Sequence, residues 1–319
     1  MRIVFMGTPD FAVASLDALI KAGCDVVAVV TAPDKPAGRG RKMNESAVKQ
    51  YAASKKLPVL QPVKLKDPDF LKKLKELKVD LQVVVAFRML PDAVLSIPPK
   101  GTINLHGSLL PQYRGAAPIN WAVINGEDES GVTTFFINKD IDTGNILFAE
   151  NVAIADDETA GGLHDKLMHV GALLLVRTVK AVESGDYKET PQDDLIKPQV
   201  ISPASELSPE ASDFLKPAPK IFKEHCLIDW RQPVTNVYNK IRGLSPYPTA
   251  YTVFNDKVLK IFKAEKQDKE PGIQPGGFLS DGKTYLKFAC KDGFISLLDL
   301  QFEGKKRMGI EEFLRGVKL

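Results

Sequence analysis

Apolar runs and amphipathic segments alternate along the first 190 residues. Three runs are almost continuously apolar, as is typical of strands buried on both faces of a parallel sheet: 2–7, 24–32 and 80–87. Segments with an apolar stripe at helical spacing follow these runs: 10–23, 44–56 and 68–78. Two further runs, 131–138 and 145–154, predict later strands, and 158–185 predicts a long helix. This alternation predicts an α/β domain with a doubly wound, mostly parallel, Rossmann-like sheet.

The pattern changes beyond residue 190. Pro and Ser are frequent over 191–219, which predicts a linker. Four apolar residues between 234 and 241 then follow helical spacing, and afterwards the apolar period becomes two, interrupted by Asn-Asp and Asp-Gly turns. We therefore expect a C-terminal antiparallel β-barrel that is OB-like. The predicted division is a catalytic domain over 1–190, a linker over 191–219 and a β-barrel domain over 220–319.

Charge and cysteine content narrow the class of protein only slightly. The formal net charge is +3, and residues 203–319 carry 19 Lys and Arg against 15 Asp and Glu, a weak indication of a polyanionic partner. The three cysteines are far apart with no Cys-x-x-Cys spacing, so we expect no metal and no disulfide framework. With neither a signal peptide nor an apolar run of about 18 residues, we expect a cytoplasmic protein without membrane contact.

The candidate chemistry lies at the end of the apolar run "TINLH". Asn104 and His106 are two positions apart, so their side chains point to the same face of a strand. In an open α/β sheet, ligands bind at the carboxyl ends of the strands. A carboxamide there can stabilise an oxyanion, an effect of about 3–4 kcal/mol, and an imidazole can exchange protons. Asp140 and Asp142 are both candidates to hold the imidazole, and a purely structural role for the Asn and His stays open.

The segments "NLHGSLLPQYRGAAPINWAVINGEDESGVT" and "DIDTGNIL" resemble the signature of the folate-dependent formyltransferases. The opening "GTPDFAVASLDAL" and the segment "TAPDKPAGRGRK" are similar to members that act on methionyl-tRNA. The resemblance covers essentially the whole chain. It implies formyl transfer from 10-formyltetrahydrofolate to the α-amine of methionyl initiator tRNA, with Asn104, His106 and Asp142 as the catalytic residues. It further implies that four residues line the folate site: Ser108, Leu109, Leu110 and Pro111.

The stretch "PDKPAGRGRKM" is basic and rich in Gly and Pro, so it is either a solvated loop or a nucleic-acid contact. The resemblance implies that it enters the acceptor arm of the tRNA. It assigns this contact to four residues of the stretch and to one in the second domain: Lys35, Arg39, Arg41, Lys42 and Lys220. One segment departs from the family pattern, because Phe87 and Arg88 replace a Tyr-Gly pair near the expected pterin pocket.

Two alternatives stay open at this point. The same chemistry could serve an amino-sugar nucleotide or another amine, such as glycinamide ribonucleotide. The chain could instead be a non-catalytic RNA-binding protein.

A dinucleotide site is not expected, because Gly7 lies in a strand-to-helix turn that lacks the full G-x-G-x-x-G pattern. We expect the protein to be a monomer.

Overall fold

The computed structural model describes residues 1–37, 42–196 and 215–317. The contacts divide the chain into two compact units, each assembled from three segments. The first unit consists of Met1–Arg114, Gly131–Val152 and Asp165–Pro217, and the second of Gly115–Ser130, Ala153–His164 and Ala218–Leu319. Two short stretches of the N-terminal half therefore pack with the C-terminal part of the chain.

The first unit is built on a seven-stranded sheet. The strands up to residue 153 are β1 Arg2–Gly7, β2 Asp25–Val30, β3 Lys35–Ala37, β4 Lys42–Asn44, β5 Val59–Leu60, β6 Leu81–Val85, β7 Thr102–His106, β8 Glu129–Phe136 and β9 Ile146–Ala153. The sheet order is β5-β2-β1-β6-β7-β8-β9, and β3 and β4 form a separate hairpin. The pairs from β5 to β7 are parallel, whereas β8 runs antiparallel to β7. The chain therefore turns back beside the strand that carries Asn104 and His106.

The helices of the N-terminal half are α1 Asp10–Lys21, α2 Ala47–Ser54, α3 Pro68–Glu76, α4 Asp92–Leu95, α5 Pro118–Ile124 and α6 Ala160–Ser184. Local sequence explains where α2 and α3 begin: the Ser46 hydroxyl accepts a hydrogen bond from the Lys49 N–H, and Asp67 caps α3 just before Pro68. The apolar face of α3 buries Phe70 and Leu74 against the Val residues of the sheet. This packing holds the helix in place, because an isolated nine-residue helix is marginal in water.

The second unit contains an antiparallel sheet. Its elements are α7 Val234–Gly243, β10 Ala250–Phe254, β11 Lys257–Gln267, β12 Phe278–Ser280, β13 Leu286–Ala289, β14 Phe294–Phe302, β15 Arg307–Gly309 and α8 Ile310–Gly316. The order is β10-β11-β14-β13-β12, and β15 pairs with the second half of β14. Register shifts near Lys263 in β11 curl the sheet, which forms a half-barrel. Its core includes Trp230 stacked on Phe288, with ring centroids 4.7 Å apart.

The predicted fold class is confirmed: a parallel-rich, Rossmann-like sheet precedes an antiparallel, partly closed barrel. The hairpin of β3 and β4 and the short helices α5 and α8 were not predicted. The division at residues 190 and 220 stays a prediction, and 197–214 of the predicted linker lie outside the described residues. In the parts of the chain that the structure describes, no helix is long and apolar enough to cross a membrane.

Candidate active site

Strand β7 carries the two polar side chains that the sequence singled out. Ile103 and Leu105 are buried on one face, and Asn104 and His106 lie on the other. Hydrogen bonds on both sides fix the backbone, because Asn104 pairs with Val84 in β6 and with Phe135 in β8. Within the described part of the chain, the half-buried carboxamide of Asn104 makes no hydrogen bond of its own. Its N–H and oxygen are therefore not committed to any other group among these residues.

The imidazole of His106 is buried, with only 6% of the residue exposed. Its Nε2 lies 2.9 Å from the carbonyl oxygen of Tyr113. A carbonyl only accepts hydrogen bonds, so Nε2 carries a proton and donates it. The other nitrogen, Nδ1, lies 3.8 Å from the Asp142 carboxylate, which is an ion-pair distance and too long for a hydrogen bond. The ring is thus oriented by a backbone acceptor on one side and faces an acid on the other.

The structure distinguishes between the two candidate acids. Asp140 is exposed and lies in a turn braced by the Asn138 side chain, whereas Asp142 is the carboxylate beside His106. Asp142 adopts φ +53°, a left-handed conformation that Asp tolerates better than most residues. The turn then closes tightly at Gly144, where a Cβ would lie 1.6 Å from the Phe136 carbonyl oxygen. Gly at this position lets the turn lie against the end of β8.

A side chain from beyond α6 holds this turn. Gln192 is 2% exposed, and its Nε2 donates to the carbonyl oxygens of Asp142 at 2.9 Å and of Gly144 at 2.8 Å. Its Oε1 accepts two hydrogen bonds from Arg114, at 2.9 and 2.7 Å. Burial lowers the pKa of the Arg114 guanidinium, and the negative charges of Asp193 and Asp142 oppose that shift. The sequence did not predict a role for either residue, because Gln192 falls in a stretch that is typical of a linker and Arg114 is 78 residues away from it along the chain.

The four residues predicted to line the folate site occupy the loop after β7. Ser108 and Leu110 are buried, whereas Leu109 and Pro111 are half-buried. The Ser108 hydroxyl donates to the Gln112 carbonyl at 2.7 Å, and Leu110 packs against Phe135 and Ile146. This loop is therefore internally braced beside His106, and its role in folate binding stays a prediction.

The predicted tRNA contacts are only partly described. Lys35 is exposed at the start of β3, and Lys220 is exposed with its Nζ 5.3 Å from the centre of the Phe222 ring. Arg39 and Arg41 lie outside the described residues, and of Lys42 only the backbone is described, in β4.

Polar contacts fix the chain just before the basic hairpin, the name we give to the pair of strands β3 and β4. Asp34 accepts hydrogen bonds from the Lys49 ammonium and from Gln61, and these interactions lower the pKa of its carboxyl below the ordinary 3.8.

The segment that departs from the family pattern is also anchored. The exposed guanidinium of Arg88 donates to the backbone carbonyls of Pro62 and Val63, and Phe87 packs against the core cluster of the first unit. Arg88 thus ties the end of β6 to the chain that follows β5.

Among the described residues, no group of three His, Cys, Asp or Glu side chains is arranged to hold a metal ion.

Comparison with known proteins agrees with the class of chemistry that this site suggests. The sequence model of the family "Formyl transferase" matches residues 1–179, and that of "Formyl transferase, C-terminal domain" matches residues 220–318. Together the two models cover most of the chain. The chain belongs to the formyl transferase family.

Curated relatives and solved structures refine this assignment. The chain is 52% identical over 324 residues to a methionyl-tRNA formyltransferase of Bacteroides fragilis and 53% identical to one of Parabacteroides distasonis, with 100% of this chain and 96% of each relative covered. The fold is similar to that of an N-formyltransferase from Helicobacter canadensis in complex with folinic acid and dTDP-3-aminofucose. That likeness has a TM-score of 0.64 at 19% identity and covers 96% of this chain and 99% of the other.

Proposed function

We propose that this chain transfers the formyl group of 10-formyltetrahydrofolate to the α-amino group of methionyl initiator tRNA. The observation that carries the proposal is the arrangement at the end of β7, where His106 is held between the Tyr113 carbonyl and Asp142 while Asn104 shares its face. The sequence identity of 52–53% to methionyl-tRNA formyltransferases over the full chain supports this acceptor over other amines.

Asn104 is the residue that we assign to the oxyanion. When the amine nitrogen bonds to the formyl carbon, negative charge develops on the formyl oxygen of the tetrahedral intermediate. A carboxamide N–H fixed on a paired strand can donate a hydrogen bond to that oxygen without reorganising. The carboxamide makes no hydrogen bond to another described residue, and this fits such a role because none of those residues has to be displaced by the substrate.

His106 and Asp142 are assigned to the proton transfers. The attacking amine loses one proton, and the departing N10 of the folate gains one. Because Nε2 donates to the Tyr113 carbonyl, Nδ1 is the ring nitrogen that exchanges the proton. The Asp142 carboxylate, 3.8 Å from Nδ1, stabilises the positive charge that the ring acquires during transfer.

Binding of the two substrates is assigned to surfaces around this centre. We propose that Ser108, Leu109, Leu110 and Pro111 line the site of the folate donor, with no metal required. The tRNA contacts are assigned to the basic stretch over 33–43 (Lys35, Arg39, Arg41 and Lys42) and to Lys220 in a tRNA-binding region over 220–319. We propose that the protein acts as a monomer.

The test is formyl transfer from 10-formyltetrahydrofolate to charged initiator and elongator methionyl-tRNAs, with an amino-sugar nucleotide as a competing acceptor. We expect rapid formation of N-formylmethionyl-tRNA on the initiator and much slower reaction of the other two. Preferential formylation of the sugar nucleotide would overturn the assigned acceptor. Binding of tRNA without binding of a folate analogue or formyl transfer would favour the non-catalytic RNA-binding alternative.

A further inference from the structure

A continuous series of contacts within the first unit begins at His106 and returns to it. His106 Nε2–H donates to the carbonyl of Tyr113, and Arg114 is the next residue along the chain. The guanidinium of Arg114 donates twice to Gln192, and Gln192 donates to the backbone of Asp142 and of Gly144. The carboxylate of Asp142 faces His106 again. The carbonyl that orients the imidazole and the carboxylate that faces it are thereby joined through two further side chains.

The segment that supplies Gln192 is docked against the sheet. Thr190 and Ile146 exchange backbone hydrogen bonds of 2.8 and 2.9 Å, and Asn145 donates to the Glu189 carboxylate at 2.8 Å. Gln192 itself begins a short 3₁₀ helix, Gln192–Leu195. Its side chain is buried with its amide nitrogen and its oxygen both hydrogen-bonded, as a buried carboxamide must be to avoid a large desolvation cost. The residue lies between the two segments that the family models match.

Resting on the proposed function, we propose that Arg114 and Gln192 are positioning residues for formyl transfer. Arg114 fixes the oxygen of Gln192, which leaves the amide N–H groups aimed at the Asp142 turn. That turn holds Asp142 at positive φ, and the hydrogen bonds from Gln192 to Asp142 and Gly144 help to hold this conformation. The same guanidinium restrains residue 114 and therefore the adjoining Tyr113 carbonyl. Neither side chain contacts the reacting atoms; each acts through His106 and Asp142.

The decisive variant is Gln192→Met, which keeps the volume of the side chain and removes its hydrogen bonds. We expect kcat to fall about 10- to 100-fold, the usual effect of removing a group that orients a catalytic side chain, while KM for both substrates changes less than about twofold. Asp194→Asn, an exposed change in the same 3₁₀ helix, is the matched control and should keep wild-type kcat. In the double variant Arg114→Ala with Gln192→Met, kcat should fall little further than in the worse single variant, because the two act as one unit.

A second readout separates positioning from general loss of structure. The protein has four histidines, so ¹⁵N NMR can identify the His106 ring by its absence in His106→Gln and report its tautomer. We expect an Nε2–H ring in the wild type and a mixture of tautomers in Gln192→Met. If Gln192→Met does not fold, Arg114→Lys is the substitute, because it keeps the charge but cannot donate two hydrogen bonds from a planar guanidinium. We expect it to lower kcat less than Gln192→Met would and to give the same change of tautomer.

The proposal would be overturned if the wild-type protein transfers formyl groups and the variants keep both the wild-type kcat and the wild-type tautomer of His106. A fall in kcat that only matches the unfolded fraction measured by circular dichroism would also overturn it. Failure of the proposed function is distinguishable, because the wild-type protein would then give no formylated tRNA in the same assay.

Discussion

Asn104 and His106 are related by strand geometry, and that part of the site follows from the sequence. Alternation along a strand places residues two apart on one face, and the structure has them so. The partner of His106 Nε2 does not follow from the sequence, because Tyr113 is seven residues away and its carbonyl is presented by the path of a loop. A local pattern indicates which side chains share a face, but not which distant backbone group a loop brings to them.

The first prediction concerns the Asn104 carboxamide. Asn104→Ala should lower kcat about 10²- to 10³-fold, because one hydrogen-bond donor to the oxyanion is lost, with little change in the affinity for tRNA. Steady-state formylation together with a tRNA binding titration measures both effects. Asn236→Ala, the same substitution at an exposed position of α7, serves as control. Equal kcat values in the two variants would remove Asn104 from the mechanism.

At the scale of elements, the sequence predicted the continuous apolar strands and the longer helices, but not the shortest strands and helices. The strands β1, β2 and β6 lie in continuous apolar runs, and the helices α1 and α6 have enough residues to show an apolar stripe at helical spacing. The three-residue strands β3 and β4 are defined by their pairing with each other, and the seven-residue α5 packs against α7. The segment that carries Gln192 reads as part of a linker because its partners, Arg114 and the Asp142 turn, are 78 and 50 residues away.

The second prediction concerns the base of the basic hairpin. The lowered pKa of Asp34 means that its contacts with Lys49 and Gln61 stabilise the fold above about pH 4, and that this stability is lost as the pH falls through the lowered pKa. Asp34→Asn should therefore lower the melting temperature at pH 7, and the difference from the wild type should shrink between about pH 5 and pH 3. Thermal melting across that range measures it. A difference that stays constant with pH would contradict the electrostatic origin.

At the scale of the whole molecule, the distribution of charge along the chain bears on the tRNA contact that we propose. The second unit gathers α5 and the start of α6 with the half-barrel. Residues 203–319 carry a net charge of +4, whereas residues 1–202 carry −1, which fits a polyanion that contacts the C-terminal part of the chain. A net charge of only +3 gives a weak overall field, so the proposed tRNA contact rests on local groups, for which we propose Lys220.

The third prediction follows from this local charge. If Lys220 contacts a phosphate, Lys220→Ala should weaken tRNA binding and reduce the slope of log affinity against log salt by about 0.7 to 0.9. Fluorescence titrations at several salt concentrations give the slope. Lys180→Ala, an exposed lysine on α6, should leave it unchanged. An unaltered slope in Lys220→Ala would exclude this lysine from the tRNA interface.

The most direct test of the account is single-turnover formyl transfer by His106→Gln at saturating initiator methionyl-tRNA and 10-formyltetrahydrofolate. The account predicts that the chemical step slows by about 10²- to 10⁴-fold, as expected for loss of a proton-transferring group, while both substrates still bind with wild-type affinity. A single-turnover rate within about threefold of the wild type, in a variant that binds both substrates normally, would contradict it.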